Sequence, residues 1–79
     1  MFNVYILKSN KHGRCYIGHS ANLKDRLSSH NLGKNKSTKN GIPWILIYSE
    51  QFKNKNEAYK REFQIKSYKG GVAFKKLID

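Results

Sequence analysis

The sequence has little cysteine, few acidic residues and no long apolar run. Its single cysteine, Cys15, excludes an intrachain disulfide and fits a reducing compartment, so the expected location is the cytoplasm. No apolar run reaches the roughly 18 residues that a membrane span needs, and the first residues are β-like rather than a signal peptide. One cysteine and scattered histidines, none at ligand spacing, also argue against a zinc site.

The scarcity of acids makes the chain strongly basic. Five Asp and Glu stand against 16 Lys and Arg, which gives a net charge of +11. Such a surface attracts polyanions, of which nucleic acid is the commonest, and a solvated basic face without a partner is the alternative. A membrane-surface helix would need a broad apolar face opposite its lysines, which neither predicted helix has to spare. The sequence therefore predicts a nucleic-acid partner and no membrane partner.

The apolar periodicity predicts an α+β chain in the order β-β-α-β-α, followed by a short helical tail. The first two strands are expected to form a hairpin, and apolar groups on both of their faces predict a sheet covered in part on both sides. No repeat or linker interrupts the pattern, so residues 1–79 are predicted to form a single domain. The predicted strands are residues 2–7, 14–19 and 43–52, the helices are 21–31 and 56–69, and the tail is 72–78.

The second predicted helix carries an acid on its inward side. Its apolar arc is formed by Ala58, Tyr59, Phe63 and Ile65. At 100° per residue Glu62 falls inside this arc, and an inward carboxylate needs a cation. Two interpretations stay open: a salt bridge to Lys66 four residues on, worth a few tenths of a kcal/mol, or a hard oxygen ligand for Mg²⁺, which commonly binds through one or two carboxylates plus phosphate.

Two basic and two aromatic residues have structural and functional interpretations. Arg26 and His30 lie on one helical face, either as a surface arginine and a satisfied core histidine or as a phosphate-binding fork with a supporting hydrogen bond or proton relay. Tyr5 and Tyr16 lie in the first two strands, where aromatics are favoured for packing alone. Taken singly, each tyrosine is interpreted as structural.

Five further residues are given structural interpretations. Cys15 is expected to be a small buried filler, His12 a turn residue and His19 an exposed strand end. Trp44 and Tyr48 are expected to pack in the core, with base stacking by one of them as the alternative.

The combination of these residues resembles the GIY-YIG nuclease superfamily over nearly the whole chain. Tyr5 closes Asn3-Val4-Tyr5, and Tyr16-Ile17-Gly18 is the literal second motif. Arg26 stands ten residues after Tyr16 and four before His30, and Glu62 lies in Arg61-Glu62-Phe63-Gln64-Ile65-Lys66. The second motif alone is a weak signal, but the ordered set is specific, and it looks most like the small stand-alone bacterial members.

The resemblance implies a fold, an activity and a cofactor. The fold is a small three-stranded antiparallel sheet flanked by helices. The activity is metal-dependent endonucleolytic hydrolysis of phosphodiester bonds, usually in DNA, with one divalent metal ion: Mg²⁺, or Mn²⁺ as the alternative. Structured or branched DNA, as in DNA repair, is an expected substrate; RNA, a targeting protein partner and the oligomeric state stay open. The alternative function is a basic nucleic-acid-binding domain that keeps the fold without turnover.

The resemblance also implies roles for five residues. Glu62 resembles the metal ligand, and Arg26 resembles the residue that stabilises the transition-state phosphate. Tyr5 and Tyr16 resemble the pair that positions or deprotonates the attacking water, with the base not assigned between them. His30 stands where several relatives carry a supporting His or Tyr.

The first motif departs from the family pattern at two positions. Its glycine is Asn3 here, and its isoleucine is Val4. Valine is an equally good β-former, and loss of the glycine leaves the tyrosine in place. The two phenols meet only if the strand register puts them on one face, and the sequence does not fix that register.

Basic side chains are predicted to contact the phosphate backbone, which positions a nucleic acid without reading its sequence. Such contacts predict a log–log salt slope of about −0.9 per phosphate on duplex DNA. The predicted nucleic-acid-binding residues are Lys8, Arg14, His19, Lys24, Lys34, Lys36, Lys39 and Lys66.

Overall fold

The computed structural model describes all 79 residues as three strands, three α-helices and one 3₁₀ turn. This confirms the predicted α+β class and element order. The first two helices begin where the side chains of Asn22 and Asn54 accept backbone N–H groups, as N-cap residues do. The elements are β1 (Phe2–Ser9), β2 (Cys15–Ser20), α1 (Leu23–Asn31), the 3₁₀ turn (Lys39–Gly41), β3 (Trp44–Phe52), α2 (Lys55–Ser67) and α3 (Val72–Ile78).

The strands form one antiparallel sheet in the order β2-β1-β3, so β1 is the central strand. In the pairing of β1 with β2, Tyr5 lies opposite Gly18 and Leu7 lies opposite Tyr16. Because side chains alternate between faces along a strand, this register puts both tyrosines on the same face of the sheet.

Helices α2 and α3 cover one face of the sheet. Alternate residues of β1 meet the inward stripe of α2 and one aromatic ring of α3 in a dry cluster. This core consists of Val4, Ile6, Ala58, Ile65 and Phe74.

Helix α1 covers the other face, which is the face that carries the tyrosines. Tyr5, Leu7 and Trp44 are buried there, and Leu23 and Leu27 of α1 pack against them. The prediction of a sheet covered on both sides is therefore confirmed. None of the helices is long and apolar enough to cross a membrane.

Two packing predictions were wrong. Cys15 is exposed rather than buried, because it begins β2 at the edge of the sheet. Helix α2 contacts the sheet only through the stripe of Ala58 and Ile65, so Tyr59 and Phe63, about 100° and 140° round the helix from Ala58, stay 55% and 68% exposed. A sheet only three strands wide leaves nothing for that flank of α2 to cover.

Candidate active site

The two motif tyrosines lie side by side. Tyr16 is a diagonal neighbour of Tyr5 across the β1–β2 ladder, and their ring centroids are 6.4 Å apart. Tyr5 is only 1% exposed, whereas Tyr16 is partly exposed. Tyr5 is therefore the buried phenol of the pair, and Tyr16 is the solvent-facing one.

Gly18 makes room for this pair. A Cβ atom at position 18 would stand 2.7 Å from Tyr5 Oη, 2.8 Å from Tyr5 Cζ and 3.2 Å from Tyr16 Cε2. The first two separations are shorter than side chains tolerate, so any larger residue would push the Tyr5 ring away. Gly18 of the second motif is therefore required opposite Tyr5 of the first motif, because a side chain there would clash with the Tyr5 ring.

We expect Gly18→Ala to destabilise the fold by about 1–3 kcal/mol, the usual cost of forcing extra atoms into a packed site. Urea denaturation followed by circular dichroism measures this cost. The control is the same substitution in a Tyr5→Leu background, where the crowding atoms are absent and the cost should shrink. An equal cost in both backgrounds would contradict the steric explanation.

His30 connects Tyr5 to the loop after α1. The imidazole is fully buried, with Nε2 3.2 Å from Tyr5 Oη and Nδ1 2.7 Å from Thr38 Oγ1. The Thr38 hydroxyl donates to the Asn35 carbonyl at 3.4 Å, so its oxygen accepts from Nδ1–H. This assigns His30 Nε2 as the acceptor for the Tyr5 hydroxyl proton. Both ring nitrogens are satisfied, as the structural interpretation of His30 expects.

Thr38 is a site residue that the sequence did not reveal. Besides holding His30, its carbonyl accepts the indole N–H of Trp44 at 2.7 Å. Asn31 bonds the backbone of Trp44 on both sides, through Nδ2 to the carbonyl at 3.0 Å and Oδ1 to the N–H at 2.6 Å. The polar loop is thereby fixed to α1 and β3, and the buried hydroxyl of Thr38 lies where His30 needs a partner.

Arg26 lies on the same side of α1 as His30 and interacts with both phenols. Its interaction with the Tyr5 hydroxyl raises the pKa of the guanidinium, with Tyr16 adding to the effect. Burial raises the pKa of Tyr5, and Arg26 opposes that rise. The phenol cluster, defined here as Tyr5, Tyr16, Arg26 and His30, therefore contains one permanent positive charge facing two hydroxyls.

Burial lowers the pKa of His30, and the charge of Arg26 lowers it further. Below about pH 6.5 the His30 side chain of the unfolded chain is protonated, whereas the folded imidazole stays neutral. The contribution of neutral His30 to stability is therefore fully present above pH 6.5 and is lost as the pH falls below it. We expect the free energy of unfolding to fall between about pH 7.5 and about pH 5.5. His30→Gln, which keeps a donor and an acceptor, should flatten this part of the profile in urea titrations. An unchanged slope in the variant would contradict the assignment.

Glu62 is held by two basic side chains on the side of the sheet that α2 covers. Its side chain is 12% exposed, with Oε1 2.5 Å from His19 Nδ1 and Oε2 2.7 Å from Lys66 Nζ. Burial raises the pKa of Glu62, but the hydrogen bonds from Lys66 and His19 outweigh burial and lower it overall. Glu62 is therefore ionised, and its charge is close enough to raise the pKa of Tyr5.

His19 was misjudged from the sequence as an exposed strand end. It stands opposite Val4 in the β1–β2 ladder, so it points to the side of α2 and is partly buried against Glu62. The predicted ion pair between Glu62 and Lys66 is confirmed, with His19 as a second partner that helical spacing alone could not reveal.

The donor set at Glu62 suits a hard cation that keeps most of its water. No group of three or more His, Cys, Asp and Glu side chains lies together anywhere in the chain. A divalent ion at Glu62 would therefore complete its shell with water and substrate phosphate, as Mg²⁺ commonly does. The carboxylate is ionised and of the right chemistry, and the ion would share it with or take it from Lys66 and His19.

A second partly buried acid belongs to a structural side-chain network. Glu50 accepts hydrogen bonds from Arg61 at 2.9–3.1 Å and from the Tyr48 hydroxyl. These bonds lower the pKa of Glu50 against the opposing effect of burial. Arg61, which precedes Glu62 in the motif, thus fastens α2 to β3.

The remaining predicted nucleic-acid-binding residues are all exposed. They lie in β1, before β2, in α1 and in the loop that follows α1. They are Lys8, Arg14, Lys24, Lys34, Lys36 and Lys39. His19 and Lys66 differ from these six, because each already contacts Glu62.

The fold and the site together define a small domain that carries two tyrosines on paired strands, an arginine on α1 and a glutamate on α2, in this order along the chain. The family model for the GIY-YIG catalytic domain matches residues 1–73, and the chain belongs to this family. Membership implies nuclease activity, and so a nucleic-acid substrate, as a general class.

Several similar proteins come from bacteria. The UPF0213 protein SH2523 of Staphylococcus haemolyticus is 42% identical over 66 residues, which are 82% of this chain and 79% of that protein. The UPF0213 protein SERP0126 of Staphylococcus epidermidis is 44% identical over the same shares. The solution NMR structure of the UPF0213 protein BH0048 of Bacillus halodurans is 30% identical, with a TM-score of 0.50 over 92% of this chain and 90% of that one. The resemblance to small stand-alone bacterial members is thus confirmed.

Proposed function

We propose that this protein is a metal-dependent endonuclease that hydrolyses phosphodiester bonds in DNA, and that residues 1–79 act as one domain. One observation carries the proposal: the chain matches the GIY-YIG catalytic-domain model over residues 1–73 and keeps Glu62 as an ionised carboxylate whose side chain is 12% exposed. A domain that only bound nucleic acid would have no need to hold a carboxylate in this position.

In this proposal Glu62 holds the divalent cation, Mg²⁺ or alternatively Mn²⁺. When bound, such an ion supplies Lewis-acid stabilisation of the phosphate and of the leaving oxygen. Arg26, whose guanidinium is exposed at the phenol cluster, donates to the phosphate oxygens where negative charge grows. Lys66 balances the charge of Glu62 before substrate arrives, and both Lys66 and His19 can then turn to the phosphate.

The two phenols take different roles in this proposal. Tyr16 is partly exposed, so in its phenolate form it can accept a hydrogen bond from the attacking water and take its proton, which leaves a neutral phenol. Tyr5 is buried, hydrogen-bonded to His30 and raised in pKa, so it orients Tyr16 and Arg26 rather than reaching the water. His30 and Thr38 hold Tyr5 from behind as positioning residues.

The exposed basic residues that do not contact Glu62 supply the phosphate track, without base-specific contacts. Because that track reads no sequence, DNA shape or a protein partner selects the target. Structured or branched DNA is the proposed substrate, and a role in DNA repair follows if branched forms are preferred.

One observation favours a second candidate function, that of a binding module without turnover. Both oxygens of Glu62 are already engaged, by Lys66 and by His19. If these partners are never displaced, the carboxylate is structural and the basic surface only binds.

A cleavage panel separates the two candidates. Single-stranded, duplex, flap, fork and four-way-junction DNAs and a single-stranded RNA are incubated with Mg²⁺, Mn²⁺ or EDTA. Metal-dependent cleavage supports the nuclease, and the preferred shape identifies its substrate. Absence of cleavage on every substrate, together with tight binding that weakens steeply with salt, would replace the nuclease with the binding module.

A further inference from the structure

Two aromatic rings lie exposed on α2 on either side of Glu62. Tyr59 and Phe63 are four residues apart, so they are neighbours on one face of the helix. Neither ring belongs to either hydrophobic core, and both are more than half exposed. Core packing therefore does not explain these two large side chains on an otherwise polar helix.

The exposed rings are continuous with the Glu62 site. The ring of Tyr59 is 6.0 Å from the ring of His19 at an interplanar angle of 79°, an edge-to-face contact. The same imidazole binds Glu62 Oε1 at 2.5 Å, and Phe63 is the residue after Glu62. A ligand resting on these rings would lie beside the carboxylate.

The surroundings of the rings are basic. Exposed lysines lie on α2 and just after it, at positions 55, 60, 66 and 69. Glu57 is the only acid of the helix without a cationic partner. Aromatic faces among lysines suit a strand that offers bases to the rings and phosphates to the ammonium groups. A second copy of this chain would bring another +11 against the same surface, which opposes self-association here.

We propose that Tyr59 and Phe63 form a stacking platform for one or two unpaired nucleobases next to the scissile phosphate. Paired bases in a duplex stack on each other and offer no free faces, so the platform selects single-stranded segments, such as those in flaps and forks. Every base has a π-face, so this selection is independent of sequence. The inference rests on the proposed nuclease function and gives it a substrate class.

The test measures binding of the full chain to an oligonucleotide with 2-aminopurine at successive positions, against a duplex of the same sequence. In a Glu62→Gln background, which prevents cleavage, Tyr59→Ala and Phe63→Ala are each expected to weaken single-strand binding about 5- to 150-fold. Duplex affinity should change less than about twofold, because duplex binding depends on phosphate contacts. Fluorescence quenching at one position should disappear in the variants.

Four controls distinguish stacking from a general loss of apolar surface. Tyr59→Phe keeps a ring and should bind as the parent does, whereas Phe63→Leu keeps apolar bulk without a ring and should not. Leu32→Ala removes a comparably exposed apolar side chain, 67% exposed, from the end of α1 and should have no effect. An abasic spacer in place of the quenched base should cost as much as removing the ring.

The possible outcomes separate the platform from the nuclease. Unchanged single-strand binding in both alanine variants, while wild-type protein still cleaves DNA, would overturn the platform and leave the nuclease standing. Ring-dependent binding and quenching in a protein that cleaves nothing would support the platform and overturn the nuclease. A dimer in gel filtration that Phe63→Ala abolishes, with DNA binding unchanged, would assign the rings to a protein interface and overturn the platform.

Discussion

Glu62→Gln is expected to lower the single-turnover cleavage rate by about 10³-fold, because a metal ion stabilises the transition state by several kcal/mol. The affinity for DNA should stay within about twofold of the wild-type value. The amide keeps the size and hydrogen-bonding shape of the carboxylate, but it is a poor ligand for a hard divalent cation. Cleavage kinetics, fluorescence anisotropy with labelled DNA and Mn²⁺ binding in the absence of DNA give three separate readouts. Loss of Mn²⁺ binding should accompany loss of cleavage.

Matched variants decide whether Glu62 is a ligand or only an ion-pair partner. Lys66→Met removes the cation from Oε2 and leaves the carboxylate intact, so it should bind Mn²⁺ at least as well as the wild type and lose far less cleavage than Glu62→Gln, with the loss confined to one phosphate contact. Glu50→Gln removes a different partly buried acid, the one paired with Arg61, and should cost stability without affecting metal binding. If Lys66→Met and Glu62→Gln lose stability and cleavage to the same extent, Glu62 is structural.

The parts of the site that local periodicity governs were predictable from the sequence. The 100° step of the helices put Glu62 on an inward position, and Glu62 is partly buried in the structure. The i,i+4 spacing of Arg26 and His30 likewise put them on one face of α1. These are properties of single elements, so one sequence suffices to predict them.

The partnerships between elements were not predictable. Strand register decides that Tyr5 lies opposite Gly18 and that His19 lies on the side of α2, and a shift of one residue would reverse both. Thr38 lies in a polar loop with no periodicity, yet its hydroxyl satisfies His30. The order of Tyr, Tyr, Arg, His and Glu suggested the site only through the family resemblance.

The exposure of Tyr59 and Phe63 on α2 shows a different limit of prediction from sequence. An apolar arc on a helix predicts burial only where there is a surface to receive it. The three-stranded sheet receives Ala58 and Ile65 and has no strand left for Tyr59 and Phe63. Aromatic residues that fit the apolar pattern but exceed the width of the sheet are therefore the ones to examine for ligand contacts.

Tyr16→Phe is expected to lower the cleavage rate by about 10²- to 10⁴-fold, the range for loss of a proton-transfer group. Its effect on the free energy of unfolding should be small, because Tyr16 is partly exposed and water can replace the hydrogen bonds of its hydroxyl. Tyr5→Phe should show the opposite balance. It leaves the buried Nε2 of His30 without its partner, which costs about 1–3 kcal/mol of stability, and it lowers the cleavage rate less.

The comparison of the two phenylalanine variants decides which phenol faces the water. Both remove one hydroxyl from the same face of the sheet, so each is the control for the other. The decisive quantities are the rate of cleavage at saturating DNA and the urea midpoint, measured on the same preparations. A larger rate loss in Tyr5→Phe than in Tyr16→Phe would reverse the assignment. The base would then be the phenol that is 1% exposed, and substrate would have to open the contact between β1 and α1 before water could reach it.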